Sequence, residues 1–321
     1  MRVLLTGGSG FVGQWLAKAM LARGDEVDLA GLGDPARSGV LTPDERARIR
    51  WIPLDVRDEA AIDVTVERSQ PELVVHLAAV SFPPEADRAP ATTFDINVLG
   101  TVRLLSTIVR RRAAGALDPV VLIVGSAVQY GRHDSSAMPL DETAEQRPLN
   151  TYAASKAAQE VAALQVHRAT GLRVICTRSF NHSGAGQDPE YLLPSLVARA
   201  NRIARGEERV LMLGNDVVRD YLHVSDVVRA YLLLGSHGTA GAVYNVASGH
   251  PVSVRELAAD VLLRTNVRAE ISTDPSLARS TDIPVLVGSP RRLMRDTGWT
   301  PLKTHGDIID DLIHSAHAAT D

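Results

Sequence analysis

A glycine turn near the start of the chain constrains the fold more than any other feature. The apolar run at 3–5 leads directly into T-G-G-S-G-F-V-G, and a helical pattern continues from there to residue 23. Such spacing lets a chain turn tightly from strand to helix, approach a pyrophosphate closely and aim helix amides at the anion. The strand–turn–helix context therefore predicts a dinucleotide-binding unit. Its predicted cofactor contacts are Gly7, Gly10, Phe11, Val12 and Gly13.

Short apolar runs alternate with amphipathic stretches along the first half of the chain. Strands are predicted at 3–5, 27–30, 49–53, 73–77, 120–124 and 174–177, and helices at 13–23, 97–112 and 152–170. Strands this apolar are typical of a parallel sheet that helices cover on both faces. The predicted fold class is therefore α/β, a doubly wound parallel sheet of the Rossmann type.

The rhythm of strands and helices loosens after residue 177, where proline and glycine become frequent. We predict that 1–177 form the sheet domain, with a segment at about 216–248 that returns to it. The remaining segments, 178–215 and 249–321, are predicted to form a smaller C-terminal lobe that binds substrate. A chain of 321 residues is long enough for one large domain or two intimate ones.

Composition excludes several classes of protein. The net charge of -4 gives no basic field for nucleic acid, and no apolar run approaches the length of a membrane span. The single cysteine, Cys176, cannot form an internal disulfide and suits a reducing compartment. Its place in an apolar strand predicts a core residue. No histidine or cysteine spacing predicts a metal site. We therefore expect a cytoplasmic protein without nucleic-acid or membrane partners.

The end of the second predicted strand bears on the choice between NAD and NADP. A carboxylate at that position would bind the ribose hydroxyls and repel a 2′-phosphate, but the sequence has Gly31 there. Arg37 either reaches a 2′-phosphate or is a surface charge, so NADP(H) is favoured only slightly and NAD(H) is the alternative. Asp55, followed by Val56, either borders the adenine or caps the next helix.

Tyr152 and Lys156 are four residues apart at the start of a predicted helix, which places them on one face. A free tyrosine titrates near ~10, and both a neighbouring ammonium and a cationic nicotinamide favour the phenolate. Ser126 follows the strand at 120–124, at the sheet edge where α/β ligand sites form. The alternative is an ordinary tyrosine, a solvated lysine and a serine that begins a turn. The upstream glycine turn and the presence of only three lysines favour a catalytic set.

These motifs resemble the extended short-chain dehydrogenase/reductases that act on nucleotide sugars, the NAD-dependent epimerase/dehydratase family. Further matches are H-L-A-A at 76–79, N-V at 97–98, Y-G at 130–131, R-D-Y-L-H-V at 219–224 and T-G-W at 297–299. The resemblance implies a catalytic triad of Ser126, Tyr152 and Lys156, with Lys156 also holding the nicotinamide ribose. It further implies cofactor contacts at Leu77, Ala78, Ala79 and Asn97. A homodimer through the helices at 97–112 and 152–170 is implied as well, although these faces could equally pack on the sheet.

Two later segments are similar to the GDP-4-keto-6-deoxy-mannose reductases of that family. N-H-S-G-A-G-Q at 181–187 resembles their N-H-x-G-P-G-Q loop, and R-S-T-D-I-P-V-L-V-G at 279–288 resembles R-P-S-D-I-P-x-x-x-G. The resemblance implies that Asn181, Arg219 and Arg279 engage the diphosphate of a nucleotide sugar. Guanidinium forks suit that task because they grip phosphate oxygens bidentately.

The resemblance implies an NAD(P)H-dependent reductase of the C4 ketone of a nucleoside-diphosphate 4-keto-6-deoxyhexose. Dehydratases of the family carry acidic residues just after the triad serine, where this chain has Ala127 and Val128. Neither side chain can carry a proton, which argues against a 4,6-dehydratase. Two alternatives stay open: a sugar-nucleotide 4-epimerase with tightly bound NAD, and a non-catalytic NADP-sensing protein on the same fold.

Overall fold

A seven-stranded parallel sheet forms the centre of the molecule. The computed structural model describes residues 1–33, 39–277 and 283–318. Numbered along the chain, the strands of this sheet are β1 (Arg2–Thr6), β2 (Glu26–Gly31), β3 (Arg50–Pro53), β4 (Leu73–His76), β5 (Val120–Ser126), β6 (Arg173–Ser179) and β10 (Val243–Val246). Their order across the sheet is β3-β2-β1-β4-β5-β6-β10, and every neighbouring pair is parallel. The predicted doubly wound α/β fold is confirmed.

Helices cover both faces of this sheet. The helices are α1 (Phe11–Arg23), α2 (Pro43–Ala47), α3 (Glu59–Ser69), α4 (Pro83–Arg88), α5 (Pro90–Phe94), α6 (Gly100–Ala113), α7 (Thr151–Thr170), α8 (Leu192–Ala204), α9 (Val224–His237), α10 (Val254–Arg264), α11 (Arg291–Thr297) and α12 (His305–Ala318). Successive strand residues point to opposite faces, so Leu5 packs with α1 and α9, whereas Leu4 packs with α3, α6 and α7. Each face therefore has its own apolar core. Within the described ranges, no helix combines the length and apolar character needed to cross a membrane.

Two short sheets and three helices form a smaller lobe. One sheet contains β7 (Asn181–Ser183), β9 (Val218–His223), β11 (Pro251–Ser253) and β13 (Val285–Leu286), and the other pairs β8 (Val210–Leu213) with β12 (Glu270–Thr273). Helices α8, α10 and α12 enclose its separate apolar core. The returning segment predicted at 216–248 contains elements of both lobes, because β9 belongs to the smaller sheet whereas β10 completes the large one. The domain limits drawn from the sequence stay a prediction.

A buried ion pair fastens α7 to the large sheet. The guanidinium of Arg178 on β6 donates to both carboxylate oxygens of Glu160 on α7, at 2.9 and 2.7 Å. Both side chains are almost completely buried, and the amides of Gln129 and Gln146 also donate to Glu160. Because α7 carries Tyr152 near its start, this ion pair sets how that end of the helix meets the sheet.

We predict that Glu160→Ala lowers the free energy of unfolding by about 3–5 kcal/mol, because it leaves the Arg178 guanidinium buried without a counter-charge. Urea unfolding followed by circular dichroism measures this loss. Glu207→Ala is the matched control, since the Arg205–Glu207 pair is exposed on the surface and its removal should leave the unfolding midpoint almost unchanged. Equal midpoints for the two variants would contradict the structural role of Glu160.

Candidate active site

A large cavity opens at the carboxyl ends of the large sheet, between the sheet and the smaller lobe. Its volume is about 1570 Å³, more than the roughly 300–1,000 Å³ of a single small-ligand pocket. The predicted site residues that line it are Gly7, Gly10, Phe11, Val12, Gly13, Leu77, Ala79, Ser126, Tyr152, Lys156, Asn181 and Arg219. The cavity therefore has room for two ligands side by side, one of them on the glycine turn.

The glycine turn forms a cradle that side chains would fill. Gly7 has a φ of +71°, and a Cβ on it would lie 2.6 Å from the backbone nitrogen of Ala78. A Cβ on Gly13 would lie 2.7 Å from the carbonyl oxygen of Gly8. The turn ends at Gly10, the N-cap of α1, so the positive end of the helix dipole faces the cavity. These features fit the pyrophosphate of a dinucleotide.

Four residues predicted as cofactor contacts, Asp55, Val56, Ala78 and Asn97, are not part of the cavity wall. Asp55 pairs with Arg57 at 2.6 Å, and Val56 packs against the backbone at Gly100. Ala78 supports the turn through its backbone contact with Gly7.

Asn97 is fully buried in a π-helical turn (Asp95–Leu99) that precedes α6. Its side chain accepts from the Val80 amide at 2.8 Å and donates to the Ser155 hydroxyl at 2.9 Å. Asn97 thus braces the segment behind the cavity wall. Arg37 and Arg279, the two remaining predicted contacts, lie outside the described residues.

Strand β5 and helix α7 bring the predicted triad together. Ser126 is the last residue of β5, and it lines the same cavity as Tyr152 on α7. The side chain of Asn150 caps the start of α7 by accepting from the Ala153 amide at 2.8 Å, which fixes the turn that carries Tyr152. One turn further along, the Lys156 ammonium donates to the carbonyl oxygen of Val124 at 2.8 Å.

Burial dominates the electrostatics of this set. It raises the pKa of Tyr152 to about 12, although the hydrogen bond from Ser126 acts in the opposite direction. Burial also lowers the pKa of Lys156 to about 7. In the protein alone Tyr152 is therefore protonated throughout the neutral range, whereas Lys156 changes charge there. The sequence predicted that the Lys156 ammonium favours the Tyr152 phenolate. With a pKa of about 7, however, Lys156 is already neutral at the high pH where the buried phenol would ionise.

Aromatic side chains line the cavity, and two of them, Phe82 and Tyr191, had no role predicted from the sequence. The rings of Phe82 and Tyr191 meet edge to face with their centroids 5.9 Å apart, and the Tyr191 hydroxyl lies 3.5 Å from that of Ser81. Phe11 on the glycine turn stacks on His182 at 6.4 Å. Tyr191 lies in no recognisable motif, so only the folded chain reveals it.

Two observations restrict the chemistry of the cavity. Ala127 is buried and Val128 lines the cavity, so apolar side chains occupy the two positions after Ser126. Among the residues that the structure describes, no cluster of three or more His, Cys, Asp or Glu side chains could hold a metal ion. Ser126, Tyr152 and Lys156 are proton-bearing groups that line the cavity at the end of β5.

The parallel sheet with its glycine turn and the Tyr-x-x-x-Lys helix define an NAD(P)-dependent enzyme of the short-chain dehydrogenase/reductase class. The family model described as GDP-mannose 4,6 dehydratase matches residues 4–312. The chain belongs to this family, within the extended short-chain dehydrogenase/reductases.

Curated relatives include both reductases and epimerases. The chain is 38% identical over 302 residues to GDP-6-deoxy-D-mannose reductase of Pseudomonas aeruginosa, covering 94% of this chain and 92% of the relative. It is 31% identical over 335 residues to a UDP-glucose 4-epimerase of Streptomyces lividans, covering 98% and 97%.

The similar solved structures also include RMD and an epimerase. The structure of RMD from Pseudomonas aeruginosa complexed with NADPH matches with a TM-score of 0.82 at 34% identity, covering 99% of this chain and all of that one. The Thermus thermophilus UDP-glucose 4-epimerase complex with NAD matches with a TM-score of 0.86 at 27% identity, over 99% and 100%.

We predict that Gly7→Ala weakens NADPH binding at least tenfold, because the new Cβ would be forced onto the Ala78 backbone. Titration of the protein with NADPH, followed by its fluorescence, measures the affinity. Gly24→Ala is the matched control: Gly24 also has a positive φ, +85°, but nothing lies within 4 Å of its added Cβ. A loss of affinity of the same size in both variants would mean that backbone strain, and not the cradle, is responsible.

Proposed function

We propose that this protein is an NADPH-dependent reductase of the C4 ketone of a nucleoside-diphosphate 4-keto-6-deoxyhexose, with GDP as the first nucleotide to test. The observation that carries the proposal is that Ser126, Tyr152 and Lys156 line one cavity at the end of β5, with alanine and valine where a dehydratase needs acids. The likeness to GDP-6-deoxy-D-mannose reductase supports the substrate class.

The two ligands would occupy opposite sides of the cavity. The glycine turn and the start of α1 would hold the pyrophosphate of NADPH, and Lys156 its nicotinamide ribose. Asn181 and Arg219 on the smaller lobe would engage the diphosphate of the sugar nucleotide. Both line the cavity, and the Arg219 guanidinium is steadied by the Val218 carbonyl at 2.9 Å.

NADPH is preferred over NADH in this proposal because β2 lacks a carboxylate at its end. Gly31 occupies that position, and the earlier Asp28 is paired with Arg50. Among the residues that the structure describes, no negative side chain at the end of β2 would therefore repel a 2′-phosphate.

The reaction needs one proton, which Tyr152 would supply. When bound, NADPH supplies the hydride that reduces the carbonyl carbon. The hydroxyls of Ser126 and Tyr152 would donate to the carbonyl oxygen and orient it. As negative charge develops on that oxygen, Tyr152 would transfer its proton to it. The Lys156 ammonium would stabilise the phenolate that remains.

The first experiment follows the absorbance of NADPH or NADH as the protein meets GDP-4-keto-6-deoxy-mannose, with the dTDP-linked analogue in parallel. Loss of absorbance matched to the ketone consumed supports the reductase, and the faster substrate identifies the nucleotide. No loss, together with tightly held NAD⁺ in the purified protein, would favour the 4-epimerase. Cofactor binding without turnover of any sugar nucleotide would favour the sensing protein.

We predict that Tyr152→Phe lowers kcat by about 10²–10⁴-fold and leaves the affinity for NADPH almost unchanged, because only the transferable proton is lost. Steady-state kinetics and NADPH titration measure the two effects. Tyr244→Phe is the matched control, since that buried phenol binds the Thr239 amide and Asp296, away from the cavity. Turnover in Tyr152→Phe equal to that of Tyr244→Phe would refute the assignment of Tyr152 as the acid.

We also propose a cytoplasmic homodimer that associates through α6 and α7. The free thiol of Cys176 suits the cytoplasm. Phe94, Leu99 and Val161 are exposed apolar side chains on and before these helices.

We predict that Val161→Glu converts the dimer to a monomer, because it places a charge in the apolar contact. Sedimentation velocity measures the change. Leu263→Glu is the matched control, since Leu263 is equally apolar and exposed but lies on α10. A wild-type protein that sediments as a monomer would contradict the proposal.

A further inference from the structure

A continuous chain of buried hydrogen bonds leads from the Lys156 ammonium to the first strand of the sheet. Lys156 donates to the amide oxygen of Gln159 at 2.9 Å, and the amide nitrogen of Gln159 donates to the hydroxyl of Thr101 at 2.7 Å. Thr101 is 2.9 Å from Nε2 of His76, whose Nδ1 lies 2.6 Å from the hydroxyl of Thr6. Lys156 is 3% exposed and the other four residues are completely buried.

One assignment of the protons satisfies every group in this chain. The Thr101 hydroxyl donates to the carbonyl oxygen of Asn97 at 2.8 Å, so the oxygen of Thr101 accepts from both Gln159 and His76. His76 therefore carries its proton on Nε2, and its Nδ1 accepts from Thr6. Burial lowers the pKa of His76 to about 3, so its ring stays neutral. The Lys156 ammonium can only donate, so the amide oxygen of Gln159 faces Lys156 and its amide nitrogen faces Thr101.

The groups that face Lys156 leave its charge uncancelled. Its own helix contributes Gln159, β5 contributes the Val124 carbonyl, and β4 contributes the neutral ring of His76. Tyr152 lies one turn earlier on the same face of the helix. In the described part of the chain, no carboxylate lies within 4 Å of the ammonium. The adjacent Glu160 is held by Arg178.

We propose that Gln159 is a positioning residue for Lys156, anchoring the ammonium beside Tyr152 through a neutral oxygen so that its charge remains available to the phenol. A carboxylate at this position would form an ion pair, which would reduce the potential that Lys156 exerts on Tyr152. An apolar side chain would leave the buried ammonium with one fewer acceptor. The catalytic consequence rests on the proposed reductase activity, whereas the anchoring itself does not.

The composition of the chain allows a direct test on the protein without substrate or cofactor. Lys18, Lys156 and Lys303 are its three lysines, so protein labelled with ¹³C at lysine Cε gives three resonances. Lys18 and Lys303 are about half exposed and serve as internal references. Lys18→Arg and Lys303→Arg assign the spectrum. Titration of the remaining resonance gives the pKa of Lys156 directly.

Two substitutions should move this pKa in opposite directions. Gln159→Met removes the acceptor and should lower the pKa of Lys156 by about one unit, since the charged form loses a hydrogen bond. Gln159→Glu supplies an opposite charge and should raise it by about 1–3 units. Gln165→Glu, the same change at an exposed position on the same helix, should leave it unchanged. A role of Gln159 in packing alone would not reverse the sign between Met and Glu.

An unchanged pKa of Lys156 in either Gln159 variant, or shifts of the same sign in both, would overturn the proposal. Circular dichroism establishes whether each variant folds. If neither does, Thr101→Val takes their place: it removes the acceptor that orients the Gln159 amide, and should lower the pKa of Lys156 by less than Gln159→Met. An unchanged pKa in folded Thr101→Val would equally overturn it.

The pH dependence of ketone reduction then separates the two proposals. The alkaline limb of kcat should follow the pKa of Lys156, moving to lower pH in Gln159→Met and to higher pH in Gln159→Glu. Expected resonance shifts without any turnover would refute the reductase and leave the anchoring intact. If the variants turn over but the alkaline limb of their kcat–pH profile does not move with the pKa of Lys156, the catalytic consequence of the anchoring is refuted.

Discussion

Most of the site depends on one constraint, the burial of the Lys156 ammonium. Moving a charge out of water is costly unless polar groups replace the lost hydration. Here the replacements are fixed dipoles: the Val124 carbonyl at the end of β5 and the Gln159 amide one turn along α7. Both depend on how α7 lies against the sheet, and the buried pair of Glu160 with Arg178 holds that arrangement from the neighbouring position on the helix.

Sheet topology explains why these groups meet the glycine turn. The order of strands reverses between β1 and β4, so the connections after these two strands leave in opposite directions and open a crevice. Thr6 ends β1 just before the turn, and His76 ends β4 opposite it. Their hydrogen bond joins the turn to the interior network, so the cradle for the pyrophosphate and the support of Lys156 share one framework.

The large sheet was predictable from the sequence because burial on both faces makes its strands continuously apolar. The glycine turn and the Tyr152–Lys156 pair were predictable for a related reason, since their spacing is fixed by local backbone geometry. A smaller lobe was predicted, but several of its elements were not: β8, β11 and β12 are short or partly exposed, and α12 was not predicted at all. Tyr191 and Thr101 could not be predicted, because tertiary packing alone brings each of them to the site. The sequence places Gln159 three residues after Lys156, on the same face of the predicted helix, but no motif marks it.

The electrostatic setting of Tyr152 in the protein alone suits it to begin a reaction as an acid. Burial holds its proton throughout the neutral range, which suits a group that gives a proton to a developing alkoxide. Oxidation of an alcohol needs the same oxygen to begin as a base, and that form is disfavoured until a further positive charge arrives. Elimination of water needs another proton carrier beside it, where this chain has Ala127 and Val128. With alanine and valine after Ser126, Tyr152 is left to add one proton, and ketone reduction requires no more than that from the protein.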